Sequence, residues 1–408
     1  MSEYLTMDDV DFSGKTVLVR VDFNSPVDPE TKRILDDTRI RAHLETVREL
    51  SEKGAKVVIL AHQGRPGDPD FIPLKQHAEI LSNLLGKPVK YVEDVFGNEA
   101  KTAIKELKFG DILVLGNVRK FAGETEEKSA EEHAESELVK NLAPLADIFV
   151  SDGFSVAHRS QASVVGFTSV LTSVAGRAME KELKALNEAV ENPEKPCIFI
   201  LGGAKAEKCI DIVKYVLDND IADHVLTGGL VGHVVLEAKG VDVGKPSMEF
   251  LEKKGLADLI PNMRKLVEKY PDRIDVPSDV AIEIDGKRKE MDVSELPVAH
   301  PIYDIGSKTV EEYGETISRA NSIVLSGPMG VYERDEFREG TRGVFISTAE
   351  SRAFKLAGGG DTIAALEMFG LHDRMSYVST AGGAFIEYLM GKKLPAVEAL
   401  KEAAKRTA

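Results

Sequence analysis

Apolar residues follow two rhythms along this chain. Short, nearly continuous runs occupy 16–21, 56–61, 89–92, 112–115 and 148–150, and amphipathic stretches with helical spacing lie between them at 39–52, 74–84 and 130–142. Continuous apolar strands alternating with amphipathic helices predict a parallel sheet covered on both faces. The pattern resumes at 197–201 and continues through 224–226, 322–325 and 377–379. Between the two blocks, 173–191 predicts one long helix, with Met179, Leu183, Leu186 and Val190 on one stripe and Asn192-Pro193 to end it. Asp285-Gly286-Lys287 predicts a hairpin turn inside an otherwise helical region, and 394–408 predicts a terminal helix.

The expected fold is therefore α/β: two doubly wound parallel-sheet domains of the Rossmann-like kind, joined by a long helix and a hinge. Their bounds are 1–172, with the 394–408 tail docked on it, then the connecting helix 173–191, then 192–393. A chain of 408 residues exceeds what one core usually supports.

The loops after the strands differ between the halves. In the first half they carry anion-gripping residues: Arg20-Val21-Asp22-Phe23-Asn24, then His62 with Gly64-Arg65, then Arg119, then 152–159 ending in Arg159. Asp22 and Asn24 suit recognition of a hydroxyl or carboxylate, and equally suit turns that close on their own backbone. Arg65 offers a planar fork to phosphate or carboxylate. Arg39, Arg119 and Arg159 complete a basic set, and at about 1.5–3 kcal/mol per charge-assisted bond, three or four such bonds hold a small dianion.

In the second half the same positions carry glycine: Gly202-Gly203-Ala204-Lys205, Gly228-Gly229, Gly327-Pro328 and Ala381-Gly382-Gly383. A fifth loop, Gly358-Gly359-Gly360-Asp361-Thr362, precedes a helix-like stretch. Unpaired amides at a helix start attract anions, and glycine lets phosphate approach them closely. Asp361 is placed to hold Mg²⁺, which takes one or two carboxylates plus phosphate oxygens. Neither the complete G-x-x-x-x-G-K-[ST] nor the complete G-x-G-x-x-G motif occurs. Ligands of open α/β sheets bind beyond the carboxyl ends of the strands, so a basic site and an amide-lined site are expected, suited to two anionic ligands.

The net charge of −16 argues against a nucleic-acid partner. It does not argue against phosphorylated ligands. Screening removes most influence beyond roughly 8 Å, whereas an arginine about 4 Å from a phosphate in a partly desolvated cleft is worth about 4 kcal/mol. The acidic stretch 124–137 reads as a solvated helix face. Hydrophobic content of 43% is ordinary, no apolar run approaches a membrane span, and a membrane partner is not expected. Cys197 and Cys209 lack metal spacing, Cys197 reads as buried core, and a reducing cytoplasm fits.

Taken together, these segments resemble those of phosphoglycerate kinases over nearly the whole length and in that family's order. Arg20 to Asn24, His62 to Pro66, Gly327-Pro328-Met329-Gly330-Val331, Gly358 to Thr362 and the run from Ser379 to Pro395 carry the resemblance. It implies reversible, Mg²⁺-dependent phosphoryl transfer between ATP and the carboxylate of 3-phosphoglycerate, giving ADP and 1,3-bisphosphoglycerate. It implies that Asp22, Asn24, Arg39, His62, Arg65, Arg119 and Arg159 bind the acid. It implies that Gly203, Lys205, Gly228, Pro328, Glu333, Gly359, Gly360, Asp361 and Thr362 surround the nucleotide. Glu333 would accept from the ribose hydroxyls, and Asp361 would position the metal. Arg39, Lys205, Gly382 and Gly383 would stabilise the transferring group. Ser326, Cys209 and Ala381 depart from the family's usual residues.

A monomer and a homodimer both fit. Two other classes stay open from the residues themselves: a two-domain binding protein that closes on an anionic metabolite, and a nucleotide-dependent dehydrogenase lacking the usual fingerprint.

Overall fold

The structure, a computed structural model, describes residues 3–407. It divides into two compact units, Met1–Leu183 with Lys393–Ala408, and Lys184–Lys392.

The first unit is built on a six-stranded sheet. Its strands are β1 (Thr16–Arg20), β2 (Lys56–Leu60), β3 (Lys90–Tyr91), β4 (Ile112–Val114), β5 (Ile148–Ser151) and β6 (Thr172–Ala175), in the order β3-β4-β2-β1-β5-β6. Every pairing is parallel. Alternation along the strands feeds two cores: Val17 and Val19 enter one with Val57 and Ile59, while Leu18 enters the other with Val58 and Phe149. Strands buried on both faces need such unbroken apolar runs, which is why the central segments carry no polar alternation.

The 173–191 expectation is corrected here. Thr172–Ala175 is a strand, paired with Ile148–Ser151, and the helix starts only at Arg177 and runs to Leu186, followed by a wider turn over Asn187–Glu191. Thr172, Ser173 and Val174 are poor helix formers, and an open sheet edge beside β5 claims them. The 39–52 helix is likewise two, Thr38–Ala42 and Leu44–Glu52, parted at His43. The terminal helix Pro395–Thr407 lies in the first unit, where the Ala396 amide donates to the Ala157 carbonyl at 3.0 Å.

The second unit holds another six-stranded parallel sheet and a small antiparallel one. In the first are β7 (Cys197–Leu201), β8 (His224–Thr227), β9 (Ile274–Asp275), β13 (Ser322–Ser326), β14 (Phe354–Gly358) and β15 (Tyr377–Ser379), ordered β15-β14-β13-β7-β8-β9. The second comprises β10 (Asp279–Ile284), β11 (Lys287–Asp292) and β12 (Ile302–Ile305), in the order β11-β10-β12. Ile284 pairs with Lys287, leaving Asp285-Gly286 as a two-residue turn with φ of 49° and 74°. Positive φ at both positions is what a tight hairpin needs, so the turn forms as expected, but its surroundings are strand rather than helix. Among the described residues, no helix is long and apolar enough to cross a membrane.

Phe149 is fully buried, with its ring 5.4 Å from that of Phe167. Phe149→Ala is expected to destabilise the first unit by about 3–5 kcal/mol, read as a lower denaturant midpoint in chemical unfolding. A loss below about 1 kcal/mol would show that this core collapses around the cavity.

Candidate active site

Parallel register decides which side chains can meet. Arg20 pairs with Leu60 on one side and Ser151 on the other. The segments after β1, β2 and β5 therefore leave the sheet together, at the point where strand order reverses around β1. That reversal opens a crevice between chains running in opposite directions, the usual seat of a ligand in such sheets.

Asp22 occupies this edge and is buried. Arg39 donates to its carboxylate at 2.5 Å, Ser155 donates its hydroxyl, and the Asn24 amide donates at 2.9 Å. Burial opposes ionisation of Asp22, but the surrounding charge and these donors prevail and hold its carboxyl below the usual range. Its backbone is fixed from behind. The Asp22 amide donates to His43 Nε2 at 3.0 Å, and His43 Nδ1 donates to the buried Asp152 at 2.6 Å. Asp152 also accepts from the Thr46 hydroxyl at 2.8 Å and from the amide of Ala178, in the first turn of the Arg177–Leu186 helix, at 2.9 Å. Sequence reasoning did not single out His43, Thr46 or Ser155; Asp152 and Ser155 were inside the 152–159 loop, but nothing local marks their partners.

Asn24 accepts from the Gly64 amide at 2.8 Å. Gly64 has φ of 64°, and a Cβ there would fall 2.6 Å from the backbone of Asp70 and Phe71, so the turn that presents His62 and Arg65 requires glycine. His62 and Arg119 are buried, Arg39 and Arg159 half-buried, and Arg65 exposed. Arg119 donates to the Gly64 carbonyl, while its Nε is buried without a partner. Burial first, then the nearby cations Arg159, Arg20 and Arg65, bring the Arg119 guanidinium down to about 10. A guanidinium perturbed in this way lies in a crowd of like charges, an environment that an anion relieves.

In the second unit two cavities adjoin. One, of about 330 Å³, is walled by Leu230, Pro246, Phe250, Pro301, Val331 and Glu333. The other, of about 370 Å³, is lined by Lys205, Ser326, Gly359, Gly360, Thr362 and Gly383, among others. Gly203, Ala204 and Asp361 line both. Gly228 lies behind them, and Pro328 lines the first cavity while Gly382 lines the second.

The glycines here have two different causes. A Cβ on Gly202 would fall 2.1 Å from the Pro328 carbonyl oxygen, so this loop crossing leaves no room for a side chain. Gly360 is the opposite: a Cβ there would meet nothing within 4 Å, and its φ is ordinary. The fold does not demand glycine at 360, because the place its Cβ would take is open. Thr362 accepts from the Gly327 amide at 2.8 Å, which ties two of the loops together. Burial pushes the Cys209 thiol up to about 12, so it stays neutral and the lining cations are Lys205 and Lys208. The pocket residues Phe250, Pro246 and Pro301 were not found from sequence, because they lie outside the glycine loops.

His77 supports the first site from below, stacked on Phe23 at 6.2 Å with its Nε2 3.0 Å from Gln63 Oε1. Burial lowers its pKa to about 4. The unfolded chain takes up this proton near pH 6.5 and the folded chain only near 4, so stability is lost as pH falls across that window, on the order of 3 kcal/mol in all. His77→Gln keeps a donor and removes the titration; its unfolding free energy should fall less steeply than the wild type's between pH 6.5 and 4. Parallel pH profiles for the two proteins would contradict the assignment.

Comparison with known proteins identifies the family. The family model for phosphoglycerate kinase matches residues 7–392. A phosphoglycerate kinase of Methanothermobacter thermautotrophicus is 48% identical over 400 residues, covering 98% of this chain and 97% of that protein. One from Methanothermus fervidus is 46% identical over 407 residues, covering 100% and 99%. The crystal structure of phosphoglycerate kinase from Pyrococcus horikoshii OT3 superposes with a TM-score of 0.88 at 41% identity, over 99% of this chain and all of that one. With the family model spanning nearly the whole sequence and relatives matched end to end, the chain belongs to the phosphoglycerate kinase family.

Proposed function

We propose that the two ligands of ATP-dependent phosphoryl transfer divide between the units, 3-phosphoglycerate at the basic edge of the first sheet and the nucleotide in the paired cavities of the second unit. The activity itself goes with the family: a phosphoryl group moves reversibly between ATP and the carboxylate of 3-phosphoglycerate, the step used in glycolysis. The observation that carries the nucleotide assignment is the adjoining pair of cavities. The apolar one suits a base, with Glu333 at its wall for ribose hydroxyls, and the glycine-lined one suits phosphates. The open space at Gly360, a glycine the fold does not need, supports close approach of phosphate to the amide.

For the acid, Arg65, Arg119, Arg159 and His62 would take the phosphate and carboxylate, while Asp22 and Asn24 would read the hydroxyl. A carboxylate is already a nucleophile at neutral pH, so no general base is required, and the protein's work is positioning and charge stabilisation. Arg39 and Lys205 are assigned to the charge on the transferring group, together with Gly382 and Gly383.

Mg²⁺ fits this reading as a substrate-borne ion. Among the described residues no three His, Cys, Asp or Glu side chains gather into a metal cluster, and Asp361 is a single exposed carboxylate beside Thr362 where the two cavities adjoin. A hard divalent cation takes one such ligand plus phosphate oxygens and water. When bound it neutralises phosphate charge. Transfer requires the two bound reactants to be brought together, and the connecting helix Arg177–Leu186 with its wider turn at Asn187–Glu191 is the proposed hinge.

A coupled assay should show ADP formed from ATP only when both 3-phosphoglycerate and Mg²⁺ are present. Absence of ADP under those conditions would overturn the reading, and a binding protein would remain. Arg39→Ala is expected to lower kcat on the order of 10²–10³-fold while leaving the KM for ATP nearly unchanged. Normal turnover in that variant would remove Arg39 from the mechanism.

A further inference from the structure

In the acidic stretch 124–137 one acid does not behave as part of a solvated face. Glu124 has no exposed surface. Its Oε2 accepts from the Ser163 amide at 2.9 Å, and its Oε1 accepts from the Ser163 hydroxyl. Ser163 is also fully buried, and its hydroxyl oxygen accepts from Arg20 Nε at 2.7 Å. Arg20 is 1% exposed, spends a second donor on the Val21 carbonyl, and places Nη2 3.1 Å from His62 Nδ1. Four buried polar side chains thus form one line from the acidic stretch to the substrate edge.

The chemistry of this line has a fixed direction. A guanidinium has five donors and no acceptor. At its contact with Arg20, His62 Nδ1 must therefore be the acceptor, and the ring hydrogen must be on Nε2. A second hydrogen on Nδ1 would point at a cation. Asp22, Arg119 and Arg159 also face this ring. Asp22 favours a charged ring, but burial and the cations Arg20, Arg119 and Arg159 outweigh it, so the ring is a neutral donor with one hydrogen to offer.

We propose that Glu124 and Ser163 are positioning residues: acting through Arg20, they lock His62 as the Nε2–H tautomer, so that it serves as an uncharged hydrogen-bond donor to the acidic substrate. Neither residue needs to touch that substrate. Ser163 is the critical link, because its hydroxyl accepts from Arg20 and donates to Glu124 at once. Without it Arg20 loses the bond that fixes its Nε edge, and the Nη2 contact to His62 loosens. The identity of the substrate rests on the function proposed above; the tautomer does not.

The test uses the full-length protein with ¹⁵N-labelled histidine side chains and no ligand. In the wild type at pH 7, His62 should show an unprotonated Nδ1 and a protonated Nε2. Ser163→Ala should move both nitrogens toward a tautomeric average and raise the KM for 3-phosphoglycerate roughly tenfold, the worth of one charge-assisted bond, with the KM for ATP nearly unchanged. Ser163→Thr, which keeps the hydroxyl, should restore both readouts. Glu124→Gln, similar in size, gives a second reading of the nitrogen signature if the alanine variant does not fold. A protonated Nδ1 in the wild type, or variants whose nitrogen signature and KM match the wild type, would overturn the proposal. The expected tautomer in a protein that does not turn over 3-phosphoglycerate would sink the functional reading alone.

Discussion

Parallel pairing imposes the condition on which both sites depend. In a parallel sheet every strand ends on the same edge, so residues far apart in sequence are delivered side by side without any contact of their own to bring them there. Arg20, Leu60 and Ser151 stand abreast, and the polar segments beyond them have nowhere else to go. The second unit repeats the arrangement: Ser326 pairs with Leu201, and Leu201 with Thr227, so the glycine loops after β7, β8 and β13 emerge together. The apolar cores on both faces of each sheet hold this register, because a slip of one residue would exchange the two cores.

Under the proposed function, the two edges would bind an anion in different ways. The first uses side-chain charge and must then manage it. Asp22 is kept ionised by Arg39, Ser155 and the Asn24 amide, while Arg119 is crowded by other guanidinium groups. Burying such groups costs several kcal/mol each unless hydrogen bonds and opposite charge accompany them, which explains the dense polar network behind the site. The second edge uses backbone amides, which carry no net charge to desolvate. Its cost is steric, seen in the crossing of Gly202 and Pro328.

Much of this was legible in the sequence where one physical signal was strong and local. The central strands of both sheets were clear because they are buried on both faces and therefore continuously apolar. β14 was not identified, since Phe354-Lys355-Leu356-Ala357-Gly358 mixes a cation and a glycine into its five residues. β11 was hidden for a plainer reason: Lys287-Arg288-Lys289-Glu290-Met291-Asp292 has almost no apolar side chain to show alternation, and only its turn gave it away. β6 merged with the helix after it because Gly176 is the single break between them. Charged site residues were found by type and position. Their supports were not, because Glu124 and Ser163, or His43 and Asp152, become partners only after the sheet is formed. A run of acids gives no sign of which one will be buried.

Under the proposed function the two edges divide the labour, the basic one taking the acid and the amide-lined one the nucleotide. Backbone amide NMR titrations of the intact protein, with 3-phosphoglycerate and with MgADP added separately, test this division most directly. The acid is expected to shift signals at 20–24, 62–65, 119 and 152–159, and the nucleotide those at 202–205, 327–333 and 359–362. The division would be contradicted by 3-phosphoglycerate perturbing the glycine loops while leaving the basic edge unmoved.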